Sequence, residues 1–259
     1  MTKSLLSFLV IYAVVFGGFS AFSESAPETQ DPEPVTAQQF YETGLKALAK
    51  EDYEKAIPYL EKACEMAPGQ AALHNTLGIA YLQQKTNPDA ALSAFQEVIR
   101  LNPRLTDAYN NLGIVYSGLI EDYALAEEYF REAIKLEPGF SRAYFGLGWL
   151  SLVKKKRAEE AVDYFEKVVA LSPDYIEAYY YLGIAYIATN HKPKALTPIT
   201  YLKSKGKEDF AKALEMMMLE EPAVVRSKIF GDDEEDTSGE LGANPPSEEA
   251  ETGSSFVQI

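Results

Sequence analysis

The sequence predicts an all-α repeat solenoid, five helix-turn-helix units closed by one capping helix. Three observations carry this. Glycines recur at Gly44, Gly78, Gly113, Gly148 and Gly183, at spacings of 34, 35, 35 and 35 residues. Prolines recur at Pro68, Pro103, Pro138 and Pro173, each 35 apart. The text around the glycines nearly repeats, as HNTLGIAY, YNNLGIVY, YFGLGWLS and YYYLGIAY. A fixed period of this length marks a stacked array, in which each unit buries its apolar face against its neighbour.

Within a unit the apolar spacing is helical. Tyr109, Leu112, Gly113 and Tyr116 lie at i, i+3, i+4 and i+7, one stripe of a first helix. A polar break follows, such as KTNPD or KKKR. Ala126, Phe130 and Ala133 then form the stripe of a second helix, and Pro138 closes the unit because proline cannot continue a helix interior. The same phase is kept by Ala56, Ala91, Ala161 and Ala195, and by Leu60, Phe95, Phe165 and Ile199. Units are expected at 37–70, 71–105, 106–140, 141–175 and 176–209. The glycine-to-alanine gap is 12 residues in the first and fifth units and 13 in the central three, which places the extra residue in the turn joining the helices. The fifth unit lacks a closing proline and carries Pro198, so its second helix is expected to be kinked or short. Phe210, Leu214, Met217 and Met218 make one further apolar face, a capping helix over 210–221 that covers the core of the last unit.

The flanks differ from the array. Residues 1–23 carry Lys3 as their only charge, and Leu5 to Phe19 is apolar apart from Ser7 and two glycines. Ala21-Phe22-Ser23 offers a cleavage site after Ser23, so the segment reads as an export signal. The rival reading is an uncleaved inner-membrane anchor through residues 5–22, 18 residues at the lower edge of what spans a bilayer. Either way the rest of the chain is expected outside the cytoplasm, in the periplasm or held at the envelope. Residues 24–36 form a Pro-rich linker with four acids, and 222–259 an acidic tail with nine acids against Arg226 and Lys228. Both have too little apolar surface to offset their ordering entropy and are expected to be disordered.

Composition excludes several functions. A net charge of −15 opposes the basic footprint that DNA or RNA requires. One cysteine excludes an internal disulfide framework and a cysteine-cluster metal site, and Cys64 reads as a small core residue. Only two histidines are present: His74 occupies an aromatic slot of the repeat, and His191 lies in a turn. Gly146-Leu147-Gly148 is not a nucleotide fingerprint, since Ser151 stands at the third glycine position and the context is a helix. No catalytic residue, metal ligand or cofactor is expected. Lys154 to Arg157 is a basic run at the end of the fourth unit's first helix, favourable at the negative pole of the helix dipole.

The motif of an aromatic, Leu-Gly, Tyr, then Ala, Phe, Ala and Pro resembles the tetratricopeptide repeat family over roughly Ala37 to Asp209. The departures are local. Phe40, Thr43 and Ala47 replace the aromatic, Leu and Tyr of the first unit, His74 replaces an aromatic, and Ser151 replaces a Tyr. The resemblance implies a right-handed solenoid that binds an extended peptide or partner helix along a concave face lined by first helices. By phase, one ladder of lining positions follows the aromatic: Tyr41, Asn75, Asn110, Phe145 and Tyr180. A second follows the glycine: Leu45, Ile79, Ile114, Trp149 and Ile184. The second ladder is wholly apolar, and Trp149, the only tryptophan, is the candidate hot spot. Some members clamp a C-terminal carboxylate with Lys and Asn. Here Tyr41 and Leu45 fill the first clamp positions and Gly146 replaces a later Arg, so an apolar peptide or helix is the expected ligand. Asn75, Asn110 and Asn111 could bond its backbone. The alternative is that these rows pack inside the superhelix or under the N-terminal linker. The reading is a non-enzymatic adaptor in the cell envelope for a protein or peptide with an apolar segment; its rival is a self-associating scaffold without a separate ligand.

Overall fold

The computed structural model describes residues 35–154 and 156–231. The segments read as signal or anchor, nearly all of the linker, and the acidic tail beyond Gly231 lie outside the described residues. The described chain is helical, without a strand. Repeat one pairs α1 (Ala37–Leu48) with α2 (Tyr53–Met66), and repeat two α3 (Ala71–Gln84) with α4 (Pro88–Leu101). Repeat three pairs α5 (Thr106–Val115) with α6 (Tyr123–Leu136), and repeat four α7 (Ser141–Trp149) with α8 (Ala158–Leu171). Repeat five pairs α9 (Ile176–Ala188) with α10 (Lys192–Ser204), and α11 (Glu208–Leu219) and α12 (Pro222–Phe230) follow. None of these helices is long and apolar enough to cross a membrane.

Short polar side chains set where helices begin. Thr36 and Gln39 form a reciprocal capping box at the start of α1. The side chains of Asp52, Asn87 and Asp122 accept backbone N–H bonds from Lys55, Ala90 and Leu125, capping α2, α4 and α6. Each repeat then turns through one non-glycine residue in the left-handed region: Glu51, Lys85, Glu121, Lys156 and Asn190, with φ of 56, 60, 63, 53 and 61°. Around Glu51, Asn190 and Gly206 the backbone closes in the paired reversed bonds of a Schellman motif, for example Asn190 N–H to Ile187 at 3.0 Å and His191 N–H to Tyr186 at 2.7 Å.

The extra residue of the central repeats lies elsewhere than expected in two of three cases. α5 and α7 are each prolonged by a π-helical turn, Tyr116–Ile120 and Leu150–Lys154. The residue is absorbed inside the first helix, because a π turn widens the ring and keeps the following left-handed residue in register. In repeat two it does lie in the turn, after Lys85: Lys85 to Ala91 is six residues, against five from the left-handed residue to the alanine in each other repeat. A second correction concerns the length of the Pro198 helix: α10 is not cut short at the proline but runs through it for 13 residues, against 14 in the other second helices, with Ala195, Pro198, Ile199 and Leu202 all buried. The core face holds the helix together despite the one lost N–H. A third concerns the tail. Pro222–Phe230 is helical, and Val225 is 1% exposed. Averaging charge over 222–259 hides a nonapeptide whose acids all lie further on, from Asp232.

Four buried clusters succeed one another along the stack, joined by partly buried residues that neighbours share, such as Tyr81, Ile114 and Trp149. In the first four repeats the large residue of the second helix meets the glycine of the first. A β-carbon added to Gly78 or Gly148 would lie 2.7 Å from the ring of Phe95 or 2.8 Å from that of Phe165. In repeat five the nearest partner of Gly183 is Leu214 of α11, whose side chain fills the space an added β-carbon would need. The capping helix thus supplies the side chain that seals the last repeat. The slot aromatics add a polar tie: Tyr109 and Tyr144 donate to the carbonyls of Pro103 and Pro138, 3.1 and 3.3 Å away. His74 Nε2 does the same to Pro68 at 3.0 Å, so the histidine is a tyrosine substitute at the rim of the slot.

Candidate functional site: the first-helix face

The first helices of the middle repeats touch in series, α3 with α5 and α5 with α7, while no two second helices come as close among the described residues. The first helices therefore line the inner side of the curve. The two predicted ladders lie on this side, and they divide.

The ladder after the aromatic follows the seam between consecutive first helices. Tyr41 hydroxyl bonds Thr76 Oγ1 of the next repeat at 3.1 Å, and Asn111 Nδ2 reaches Asn75 Oδ1 at 3.5 Å. Phe145 stacks on Tyr175 at 4.9 Å and meets Tyr181 edge-on at 5.6 Å. Tyr180 packs against Phe210 of α11 at 5.1 Å. Phe145 and Tyr180 are core, 1% and 4% exposed, not free groove wall. Burial pushes the hydroxyls of Tyr175, Tyr180 and Tyr181 to higher pKa, so they stay neutral.

Asn110 breaks the series. The position opposite it is Gly146, which has no side chain to answer. Asn110 is 1% exposed, yet no protein group bonds its Oδ1 among the described residues. It borders a cavity of about 10 Å³ lined also by Ile114, Arg142, Phe145, Gly146 and Tyr175, room for about one water-sized group. Arg142 on its wall is oriented by Asp107 and lies 4.7 Å over the ring of Phe140. Sequence phase identifies Asn110 but misses Arg142, Tyr175 and the role of Gly146. The signal is present, since Thr76, Asn111 and Tyr181 occupy the phase that Gly146 leaves bare.

The ladder after the glycine is mixed. Ile79 and Ile184 are buried, 4% and 1% exposed, whereas Leu45, Ile114 and Trp149 are half-buried. Trp149 packs against the cores of two successive repeats, and the Lys154 ammonium lies 6.0 Å from its ring and 5.1 Å from that of Tyr123. Of the ten predicted lining residues, Tyr41, Leu45, Asn75, Ile114 and Trp149 keep accessible surface. The other five face neighbouring repeats or the C-terminal helices, because tight stacking places them inside the array.

Among the described residues no three His, Cys, Asp or Glu groups gather as metal ligands. His191 is exposed, with Nδ1 3.0 Å from Thr189 Oγ1.

The comparisons agree with this geometry. A family model described as the tetratricopeptide repeat matches residues 41–105 and 120–176. No curated protein matches the sequence significantly. Among solved structures, the chain is similar to a thermophilic tetratricopeptide repeat protein of Thermus thermophilus, at 18% identity, covering 71% of this chain and all of that one, with a TM-score of 0.59. MamA of Desulfovibrio magneticus is 22% identical over 67% of this chain and 97% of that one, at a TM-score of 0.55. YrrB, a tetratricopeptide repeat protein with an unusual peptide-binding site, is 22% identical over 70% and 92%, at 0.51. Over its repeat region the chain belongs to the tetratricopeptide repeat family.

Proposed function

We propose that this protein is a non-enzymatic adaptor that holds an apolar peptide or helix of a partner protein along its first-helix face. Tetratricopeptide repeats serve in general as interaction modules rather than catalysts. The accessible row Tyr41, Leu45, Asn75, Ile114 and Trp149 supplies apolar contact and one carboxamide. The single observation that carries the reading is Asn110, a buried carboxamide oxygen that no protein group satisfies, at the wall of a cavity beside Ile114. An uncompensated buried acceptor costs about 1–3 kcal/mol, and a water-sized donor that a bound segment holds in the cavity would remove that cost. The apolar segment at 5–22 supports placement in the cell envelope, as an exported or anchored protein.

The test is capture from a detergent-solubilised envelope extract with four full-length proteins: wild type, Ile114→Asp, Asn110→Leu, and Lys135→Glu on an exposed second-helix face. A partner retained by wild type and Lys135→Glu but lost with both inner-face variants supports the reading. Equal retention by all four sinks it.

A further inference from the structure

α12 lies on the inner side of the array without belonging to a repeat. It packs against α9 and the π turn Leu150–Lys154, both parts of first helices. Val225 is buried in the cluster that holds Tyr180 and Ile184, and Ile229 and Phe230 pack on the same cluster, as Trp149 does. On a helix these positions, i, i+4 and i+5, span an arc of about 140°. Val224, off that arc, is 46% exposed. Arg226, at i+1, reaches the carbonyl of Ala188 at 3.4 Å, a cation at the negative pole of α9. Lys228 pairs with Glu220 at 2.6 Å and folds the helix back over its own linker.

The hold is slight. α12 has nine residues, and a helix so short does not persist alone in water. Val225 is its one buried side chain among those described, and its link to α11 is two extended residues, Glu220 and Glu221. An element tied by so little opens at far lower cost than the repeats beneath it.

We propose that the seat of α12 is a helix-docking site filled in cis, and that its partner is a short helix of the same chemistry: apolar at i, i+4 and i+5, basic at i+1. That helix binds by displacing α12, and the seat stands whether or not a segment also lies along repeats one to three. A tethered occupant competes at high effective concentration, so removing it raises apparent affinity for a helix in trans.

The probe is a synthetic peptide of residues 220–231, EEPAVVRSKIFG, which contains no tryptophan. It is titrated into full-length wild type and into full-length Val225→Asp, with Trp149 fluorescence as readout and far-UV circular dichroism as the check on folding. The expected result is red-shifted Trp149 emission in Val225→Asp, reversed by the peptide, with at least tenfold tighter binding than to wild type. A peptide carrying Asp at the Val225 position should not bind either protein. Should Val225→Asp lose more helix than α12 contains, Arg226→Glu/Lys228→Glu, which alters only exposed groups, takes its place with the same expected direction. Equal peptide affinity for wild type and variant, or no binding to either, overturns the proposal.

Discussion

Phe130 sits between two glycines: a β-carbon on Gly113 of its own repeat, or on Gly146 of the next, would lie 2.6 Å from its ring. The ring is 2% exposed and walled in, so it cannot swing aside. The expected outcome is that Gly113→Ala destabilises the array although alanine is the better helix former. Its gain of about 1 kcal/mol in propensity is outweighed by overpacking of about 1–3 kcal/mol and the displacement of a core ring. Gly118→Ala is the control, because nothing lies within 4 Å of its added β-carbon. Urea unfolding followed by circular dichroism should show Gly113→Ala below wild type and Gly118→Ala at or above it.

The left-handed turn residues give the opposite sign. A non-glycine residue in that region costs about 1–2 kcal/mol, while glycine loses about 0.5–1 kcal/mol more entropy on folding. Lys85, at φ 60°, is exposed. Lys85→Gly should therefore stabilise by roughly 0.5–1 kcal/mol, read as a raised urea midpoint at unchanged slope. Glu51→Gly, far along the chain, should add to it.

Periodicity alone makes the stack legible, because Gly44 to Gly183 and Pro68 to Pro173 report a packing requirement that recurs once per repeat. Which groove residues stay open is not legible in the same way. Phase says that Phe145 and Asn110 occupy equivalent positions, both buried, but whether such a position is filled or borders a cavity depends on its opposite number one repeat on: Tyr181 for the first, Gly146 for the second. That relation spans 36 residues and appears only when the ladders are read across repeats. α12 escapes a sequence reading because the charge of its neighbours masks it, and the π turns because a one-residue insertion gives no clue whether a helix or a turn absorbs it.

Cys64 is 7% exposed, and burial, with Glu61 adding to it, pushes its thiol up to about 11 from 9.0. The thiolate is the nucleophile, so a rise of this size lowers its population at pH 8 by about a hundredfold. Native protein should resist iodoacetamide at pH 8 and react once unfolded in guanidinium, by mass spectrometry. Because the folded-state value is the higher one, the thiol's contribution to stability is full below pH 9.0 and is lost as pH rises toward about 11. Cys64→Ala should flatten that part of the stability profile. Fast native alkylation would show that the helix pair α2–α3 opens locally.

Asn110 separates stability from binding. Asn110→Leu keeps the branching and heavy-atom count of the side chain and removes an acceptor that no protein group satisfies, so folding stability should be unchanged or raised by up to about 1 kcal/mol. A group present only to hold the repeats together would behave otherwise, because its loss would cost stability and leave binding alone. Residues kept for function at the expense of the fold show this inverse pattern. Thermal unfolding and partner affinity measured on one preparation of Asn110→Leu decide the point. A stability loss above about 1 kcal/mol would mean that the carboxamide is satisfied and structural; unchanged stability with at least tenfold weaker binding would mark the cavity beside Gly146 as the place where the partner is read.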